Sequence, residues 1–181
     1  IILKTNMGRM TQQDRAAVKN MTEQFVKTFR SSDFPRIHII HGLLDKNEVG
    51  ALYRHPKVKA LATVTRGEGW GLPILDAAAS GLPVIAPACS GYVDFMKHVK
   101  YLDVKYKRVP IPDIMADGRI WIKGTKWFEP EEKHFKARIS KFRKQHALPA
   151  QWAGEAIEKV NSEFSLSAVF KKYDSALREI L

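Results

Sequence analysis

The chain has 181 residues, 45% of them hydrophobic, which is enough for one packed domain and excludes collagen-like and fully disordered proteins. No apolar run reaches the roughly 18 residues that a transmembrane helix needs, so no membrane-spanning helix is predicted. Thirty Lys and Arg residues against nineteen Asp and Glu residues give a net charge of +11, which favours an anionic partner: nucleic acid, acidic lipid or a phosphorylated small molecule.

The single cysteine, Cys89, excludes an internal disulfide framework and a multi-cysteine metal site, and we expect it to be a small buried residue. No basic segment followed by an apolar core opens the chain, so we expect a cytoplasmic protein. The sequence begins with apolar residues from Ile1 onward and lacks a starting methionine. We therefore expect it to be part of a longer protein.

The first half of the chain alternates strand-like and helix-like segments. Short apolar runs predict strands at residues 1–4, 36–41, 58–64 and 83–86. Helical spacing predicts a first helix that begins at a capping box in residues 11–14 and carries an apolar face of Val18, Met21, Phe25 and Phe29. Further helices are predicted at residues 45–54 and 73–80, the second ended by Gly81. This alternation predicts an α/β fold in which helices cover both faces of a parallel sheet.

The second half of the chain is mainly helical. Residues 97–108 are predicted to form a strand or one arm of a hairpin, and Ser165 could cap the last of three helices. Those helices are predicted at residues 131–146, 149–164 and 165–181, with the apolar faces Phe135, Ile139 and Phe142; Ala153, Ile157, Val160 and Phe164; and Leu166, Val169, Phe170, Tyr173 and Leu177. Residues 1–181 are therefore predicted to form one domain, with C-terminal helices at 149–181.

The segment that most clearly indicates chemistry is the glycine-rich turn of residues 65–76, TRGEGWGLPILD, between a predicted strand and a predicted helix. Ligands of parallel sheets bind at such carboxyl ends of strands. Three glycines at alternate positions leave main-chain N–H groups unshielded, and Pro73 suits the first helical position. The helix start then offers free N–H groups and a partial positive charge, which suit a phosphate.

Two carboxylates flank this turn, Glu68 before it and Asp76 in the first helical turn. Neither suits a phosphate, because like charges repel, so each is better suited to accept hydrogen bonds from hydroxyl groups on either side of one. A phosphate flanked by polyols is a sugar nucleotide. The glycine spacing alone favours an ordinary strand-to-helix turn, since it matches neither the dinucleotide fingerprint nor a P-loop.

The longer string EGWGLPILDAAASGLPVIAP, at residues 68–87, resembles the E-x7-E signature of retaining glycosyltransferase family 4. The likeness extends more loosely from residue 37 to the end, through GLLDKNEVGALY, SGYVDFM, WFEP and FSLSAVFKKY. It implies an enzyme of the GT-B fold, of which this chain would be the Rossmann-like, donor-binding C-terminal domain. The implied substrate is a UDP- or GDP-linked hexose-type sugar, and no cofactor is implied.

The resemblance also implies a set of residues around the donor. These are Leu44, Arg66, Glu68, Gly69, Trp70, Gly71, Leu72 and Asp76. Glu68, as the catalytic residue, would contact hydroxyls of the donor sugar, and main-chain groups of residues 69–72 would hold the diphosphate. Asp76 would bind the ribose, and Leu44 would lie near the base. The family usually has Glu where this chain has Asp76, so the carboxylate is one methylene shorter.

Two side chains of the turn, and the loop after the next strand, have alternative interpretations. Arg66 could reach a phosphate or the acceptor, or it could be an exposed loop arginine. Trp70 could form a wall of the sugar site, although tryptophan is more often a packing anchor. Residues 90–92 could supply a second loop at the same edge of the sheet.

Other parts of the implied enzyme are expected outside this chain. Family members carry an Arg and a Lys that neutralise the donor diphosphate, in a strand-helix unit that should precede Ile1. They also carry a separate N-terminal Rossmann-like domain that binds the acceptor. We therefore expect the isolated chain to transfer no sugar. The implied mechanism retains the anomeric configuration and stabilises the leaving diphosphate without a metal, and the sequence has no Asp-x-Asp.

Other features of the sequence indicate alternative functions. Basic residues 97–108, with Tyr101 and Tyr106, could bind nucleic acid by phosphate contacts and stacking, although such a stretch is more often a solvated face, which makes nucleic acid the less favoured partner. The basic face of residues 131–146 could contact an anionic membrane. A sugar-nucleotide epimerase of the same fold is a third alternative. A metal site is rejected, because His38 and His41 lie on opposite faces of a predicted strand.

Overall fold

The computed structural model of the chain describes residues 1–30 and 34–180. It falls into two units, Ile1–Val49 and Gly50–Leu181. Both contain helices and parallel strands, so the α/β class predicted from the sequence is confirmed. Across these residues, none of the helices has the length and apolar character that crossing a membrane would require.

The first unit has a strand-helix-strand arrangement. Strands β1 (Ile2–Thr5) and β2 (His38–His41) are parallel, with Ile2 opposite His38. Helix α1 (Gln12–Phe29) lies between them in sequence, and helix α2 (Lys46–Arg54) begins near the end of the unit. The predicted strands and helices of this segment are confirmed, with ends that differ by one or two residues.

The start of α1 is determined by the predicted capping box. Thr11 Oγ1 accepts a hydrogen bond from the Asp14 N–H at 3.2 Å, and the Asp14 carboxylate accepts one from the Thr11 N–H at 2.9 Å. These hydrogen bonds, the one from the Thr11 backbone foremost, lower the pKa of Asp14. The local sequence therefore determines where this helix begins.

The apolar face of α1 is less buried than predicted. Val18 is buried, whereas Met21, Phe25 and Phe29 are exposed. The physical reason is that the two strands of the first unit offer only a narrow surface to an 18-residue helix. Helical spacing therefore identified the apolar face correctly, but it did not predict how much of that face would be buried.

The second unit is built on a parallel sheet with the strand order β3-β4-β5. The strands are β3 (Leu61–Ala62), β4 (Val84–Pro87) and β5 (Leu102–Val104). Helix α3 (Leu72–Ala79) connects the first two strands, and the short helix α4 (Val93–Met96) lies between the second and third. Ligand-binding loops of such sheets follow the carboxyl ends of the strands.

A hairpin and three helices complete the second unit. Strands β6 (Tyr106–Pro110) and β7 (Lys126–Pro130) pair antiparallel, with a 3₁₀ turn at Asp113–Met115 between them. The helices are α5 (Glu132–Lys144), α6 (Ala147–Phe164) and α7 (Leu166–Ile180). The predicted C-terminal helices are thus confirmed, although the predicted end at Leu181 lies outside the described residues.

Strand β4 buries both of its faces. Val84 and Ala86 belong to the larger apolar cluster, which includes residues of α3, α4 and α6. Ile85 belongs to a second cluster together with Phe142 of α5. Because neighbouring residues of a strand point to opposite faces, helices pack on both sides of this sheet.

The sheets are smaller than the sequence predicted. The strand predicted at residues 58–64 is reduced to the two residues of β3, and the Val58 N–H donates to the His55 carbonyl in a turn at 2.9 Å. Residues 97–108 contain two strands, of which β5 pairs with β4 and β6 is a hairpin arm. The one continuous sheet that was predicted is three small sheets within the described residues.

The C-terminal helices differ in how well their predicted faces are covered. Phe142 of α5 and Val160 of α6 are buried, as predicted. Ser165 caps α7 through its Oγ, which accepts a hydrogen bond from the Ala168 N–H at 3.3 Å. The predicted face of α7 is mostly exposed, since Leu166, Phe170, Tyr173 and Leu177 all lie on the surface. Its pattern indicated an amphipathic helix and not a core helix.

Candidate functional site

The glycine-rich turn joins β3 to α3, as predicted. The chain leaves the sheet after Thr63, whose N–H makes the last hydrogen bond to β4 at 2.9 Å. Gly71 precedes α3 with a φ of 80°, a left-handed conformation that favours glycine. A Cβ there would lie 3.0 Å from the Cβ of Tyr92. The helix begins at Leu72, so Pro73 occupies its second position, whereas the sequence predicted the first.

Four consecutive main-chain N–H groups, those of residues 69–72, have no hydrogen-bond acceptor within the described part of the chain. The amides that follow are occupied or absent. Those of Ile74 and Leu75 donate to the Gly71 carbonyl at 2.9 and 3.0 Å, and Pro73 has none. The free donors predicted at the helix start are therefore those of the turn. They lie at the N-terminal end of α3, where the helix dipole favours negative charge.

Ser90 holds the turn from the neighbouring loop. Its Oγ accepts a hydrogen bond from the Glu68 N–H at 2.7 Å and donates one to the Glu68 carbonyl at 2.6 Å. The Gly91 N–H donates to the same carbonyl at 3.2 Å. Ser90 has a φ of 71°, in the left-handed region where residues other than glycine are uncommon. Residues 90–92, predicted as a second loop at this edge, therefore contact the turn directly.

Removing the Ser90 hydroxyl tests this contact. We expect Ser90→Ala to lower the free energy of unfolding by about 2 kcal/mol, because both hydrogen bonds to the Glu68 backbone are partly buried. Urea denaturation measures the change. Ser162→Ala is the control, since its hydroxyl makes one exposed hydrogen bond to the Lys159 carbonyl, and it should shift stability by less than about 0.5 kcal/mol. Equal effects of the two substitutions would contradict the role of Ser90.

Glu68 has a backbone held by hydrogen bonds and a half-buried carboxylate. Its N–H and its carbonyl are both bound by the loop of Ser90 and Gly91. Its carboxylate is half-buried and has no hydrogen-bond or ion-pair partner among the described residues. An ionised carboxylate accepts hydrogen bonds only. Glu68 can therefore accept hydrogen bonds from hydroxyl groups of a ligand that occupies the turn.

Asp76 lies further along α3 than predicted. The helix begins at Leu72, so Asp76 is in its second turn and not in its first. The side chain is exposed. After burial, the charge of Asp76 is the second cause of the raised pKa of Tyr53 on α2, so the two side chains lie near each other. Asp76 therefore does not act as a first-turn charge on the helix dipole.

Trp70 anchors the turn to the core. Its ring centroid lies 5.5 Å from that of Phe95 on α4 and 6.0 Å from that of Phe164 at the end of α6. Phe95 and Phe164 also contact each other edge-on, with centroids 5.9 Å apart. This geometry agrees with the packing role that the sequence favoured. Part of the ring is exposed, and its contact with a donor stays a prediction.

Arg66 is held by strand β7. Its guanidinium makes two hydrogen bonds to the Glu129 carboxylate, at 2.7 and 2.9 Å, and lies 4.5 Å from the ring centroid of Trp127. The Arg66 carbonyl also accepts a hydrogen bond from the Phe128 N–H at 3.1 Å. The hydrogen bond to Glu129 raises the pKa of Arg66. A phosphate that contacts Arg66 would therefore share the positive charge of the guanidinium with the Glu129 carboxylate.

The pairing of Arg66 with Glu129 should be measurable as a coupling. We expect a double-mutant cycle of Arg66→Ala and Glu129→Ala to give about 1 kcal/mol, since the pair is bidentate but both side chains are partly exposed. The control cycle uses Arg178 and Asp174, a more exposed pair on α7. It should give less than about 0.5 kcal/mol. A coupling energy between Arg66 and Glu129 no larger than that between Arg178 and Asp174 would contradict the pairing of Arg66 with β7.

Leu44 lies in the first unit, in the loop between β2 and α2, and its side chain is half-buried. Its place near the base of a donor stays a prediction. The same unit has a groove of about 450 Å³ between α1 and β2, lined by residues that include Arg15, Lys19 and Phe34. None of the residues predicted to bind a donor lines this groove.

Sequence reasoning missed Glu129 as a contributor to the site, and it did not predict how closely Gly91 packs. Gly91 lies so near the turn that a Cβ would overlap the Gly69 carbonyl. Trp127 and Glu129, on β7, hold Arg66. The sequence signal for Glu129 was the string WFEP, which is part of the family likeness.

Among the described residues, no group of three or more His, Cys, Asp and Glu side chains is placed to hold a metal ion. The other predicted small feature, Cys89, is buried, as expected. No protein-family model matches the chain, and no curated protein matches it. The assignment of a function therefore depends on the geometry of the turn and on the sequence itself.

Proposed function

We propose that this chain is the donor-binding part of a retaining glycosyltransferase and that it holds a nucleoside diphosphate sugar at residues 66–76. The observation that carries the proposal is the run of four amides at residues 69–72 that have no acceptor among the described residues and that directly follow Glu68, whose side chain is half-buried. Backbone amides at a helix N-terminus suit a diphosphate. A partnerless carboxylate suits the hydroxyls of a sugar.

The sheet of the second unit supports the same proposal. Parallel strands with helices on both faces are the layering of a Rossmann-like domain. In such a domain a nucleotide lies at the carboxyl edge of the strands, where the turn after β3 and the loop after β4 meet. We propose on this basis that the chain has the Rossmann-like fold of the C-terminal half of a GT-B enzyme.

The proposed chemistry is charge stabilisation at the leaving group. As the bond to the anomeric carbon breaks, negative charge develops on the diphosphate oxygens. The amides of residues 69–72 and the dipole of α3 would stabilise that charge without a metal. Glu68 would accept hydrogen bonds from sugar hydroxyls and so position the anomeric carbon for transfer with retention.

The two ends of the ligand would be recognised by different residues. We place the sugar at Glu68 and the ribose at Asp76, whose exposed carboxylate lies near Tyr53. Because the acceptor is expected to bind a separate domain, we expect this chain alone to transfer no sugar, and measurable turnover by the 181-residue chain would contradict that expectation.

Titration with nucleotides tests the proposal. Addition of UDP, GDP or their sugars to isotope-labelled chain should shift the amide signals of residues 69–72, because these N–H groups would donate to the diphosphate. The signals of Gly118 and Gly124, in the loop between β6 and β7, serve as the control and should not move. Absence of any shift at residues 69–72 with every nucleotide would reject a donor site at this turn.

Specific observations distinguish the alternative functions from the proposed one. Nucleic-acid binding by residues 97–108 required tyrosines free to stack, but Tyr101 is partly buried against the core and Tyr106 packs edge-on against Phe128, with centroids 5.2 Å apart. Both rings are therefore partly engaged within the protein, which disfavours that alternative. A sugar-nucleotide epimerase would use the same donor contacts, and analysis of the reaction products of the complete enzyme distinguishes it from a transferase.

A further inference from the structure

The connection between β6 and β7 exposes an unusual set of aliphatic side chains. We call residues 111–125 the hairpin tip. Ile114 is 93% exposed, Ile120 76%, Met115 47% and Ile122 45%. A single exposed isoleucine is ordinary, but four large apolar side chains exposed on one connection of 15 residues are a pattern typical of interaction surfaces.

The hairpin tip is ordered by its own hydrogen bonds. One carboxylate oxygen of Asp117 accepts bonds from the N–H groups of Arg119, Ile120 and Trp121, each at 2.9 Å. The N–H groups of Asp117 and Gly118 donate to the Trp121 carbonyl at 3.1 and 3.3 Å. Because these main-chain groups are satisfied within the tip, moving it out of water carries a reduced desolvation cost.

Basic residues lie close in sequence to these aliphatic side chains. Six exposed basic residues lie in or beside the hairpin tip: Lys105, Lys107, Arg108, Arg119, Lys123 and Lys126. Only two acidic residues lie within the same span. Asp113 pairs with Lys123 at 2.7 Å, and the Asp117 carboxylate is occupied by backbone N–H groups. Residues 105–126 therefore combine exposed apolar side chains with a net positive charge of four, from six cations and two carboxylates, and on the paired strand Glu129 lies opposite Lys107.

We propose that the hairpin tip inserts its aliphatic side chains into the headgroup region of an anionic membrane, while the surrounding cations bind lipid phosphates. Exposed apolar side chains together with an excess of Lys and Arg are the composition of elements that lie in a membrane interface. The proposal does not depend on nucleotide binding.

Two other kinds of partner fit this surface less well. Protein interfaces are depleted in lysine, which is the commonest cation of this surface. Single-stranded nucleic acid requires aromatic rings for stacking. In this hairpin Trp121 packs edge-on against Trp127, with centroids 5.3 Å apart, and Tyr106 packs against Phe128 in the same way. The large apolar side chains that the tip exposes are aliphatic and not aromatic, and these suit hydrocarbon.

Strand β7 connects the hairpin tip to the glycine-rich turn. The tip ends where β7 begins, and the same strand holds Arg66 through Glu129 and Trp127. A membrane contact at the tip would therefore bring the turn near the lipid surface. This differs from the contact predicted from the sequence, which used the basic face of α5. On that face Arg138 is already engaged by Asp103 at 2.6 Å.

Vesicle sedimentation with the whole 181-residue chain tests the proposal. The chain should sediment with vesicles of phosphatidylcholine and phosphatidylglycerol and not with phosphatidylcholine alone. The double substitution Ile114→Ser and Ile120→Ser should weaken partitioning about tenfold, because two inserted side chains lose their apolar surface. Leu43→Ser is the matched control, since Leu43 is 73% exposed in the first unit, and it should leave binding unchanged. Circular dichroism verifies that each variant is folded.

Three results would overturn the proposal. The first is no sedimentation of the unmodified chain with anionic vesicles. The second is binding that the double serine variant retains in full, since that would place the contact on another cationic surface such as α5. The third is binding to single-stranded RNA that the same variant weakens equally. Conversely, Lys107→Glu with Lys126→Glu should abolish binding to anionic vesicles if the cations contact lipid phosphates. Nucleotide titration is a separate measurement, so failure of one proposal is distinguishable from failure of the other.

Discussion

Replacing Gly91 by alanine is expected to lower the free energy of unfolding by about 3 kcal/mol and to abolish nucleotide binding. The new Cβ would lie 1.8 Å from the Gly69 carbonyl oxygen and 2.8 Å from its carbon. Both are backbone atoms, so no side chain can rotate to relieve the overlap. The turn would have to move away, which breaks the hydrogen bonds that join the backbone of Glu68 to the Ser90 hydroxyl and the Gly91 N–H.

Gly67→Ala is the matched control for this substitution. Gly67 lies in the same turn, has no heavy atom within 4 Å of an added Cβ and needs no left-handed backbone. We expect it to change stability by less than about 0.5 kcal/mol. Urea denaturation and nucleotide titration of both variants give the comparison. If Gly91→Ala unfolds and binds like Gly67→Ala, the close packing of the two loops is not a determinant of the site.

Three sets of contacts hold the glycine-rich turn in place, and a fixed turn suits the proposed chemistry. Ser90 and Gly91 bind the backbone of Glu68, Trp70 packs between two phenylalanines, and β7 grips Arg66. The amides of residues 69–72 therefore sit in a fixed backbone before any ligand arrives. Donors that need no reorganisation stabilise developing charge most effectively, and a rigid site loses less entropy on binding.

Features that depend on local sequence could be predicted. The capping box of Thr11 and Asp14 and the end of α3 at Gly81 require only residues within one helical turn, and both are observed. Gly81 has a φ of 72°, and the Leu82 N–H donates to the Ala77 carbonyl at 2.9 Å. Such caps follow from backbone geometry and leave a readable pattern in the sequence.

Features that depend on distant residues could not be predicted. The steric need for Gly91 arises from Gly69, and the partner of Arg66 is Glu129, 63 positions later. Likewise, helical spacing showed that α1 and α7 have apolar faces but not that most of each face would be exposed. Periodicity reports which side chains share a face, and it contains no information about the surface that covers them.

The position of the glycine-rich turn was predicted better than the sheet around it. Glu68 and residues 69–72 lie at the end of a strand and before a helix, as the glycine and proline pattern indicated. The strand itself is two residues long and not seven, because Val58 turns into the core before the ladder begins. Turn residues have strong conformational preferences, whereas the length of a short strand depends on its neighbours.

The largest effect on ligand selectivity is expected from Glu68→Gln. Glutamine keeps the shape of the side chain but removes its charge and one acceptor oxygen. If Glu68 binds sugar hydroxyls, the variant should bind a nucleoside diphosphate sugar about 30-fold more weakly, the loss expected for hydrogen bonds to a charged group. Its affinity for the nucleoside diphosphate alone should be unchanged. Calorimetric titration with the nucleotide that shifts the amides of residues 69–72 measures both.

Asp76→Asn provides the complementary variant at the other end of the ligand. If Asp76 binds the ribose, this variant should weaken the nucleoside diphosphate and its sugar by the same factor, about tenfold. The ratio of the two affinities therefore separates the carboxylates: it changes at Glu68 and stays constant at Asp76. Since both side chains are isosteric with their replacements, packing is not altered in either variant. If the ratio of the two affinities is the same in both variants as in the unmodified chain, Glu68 does not contact the sugar. If Glu68→Gln weakens binding of the nucleoside diphosphate as much as binding of its sugar, the Glu68 carboxylate contacts the nucleotide instead.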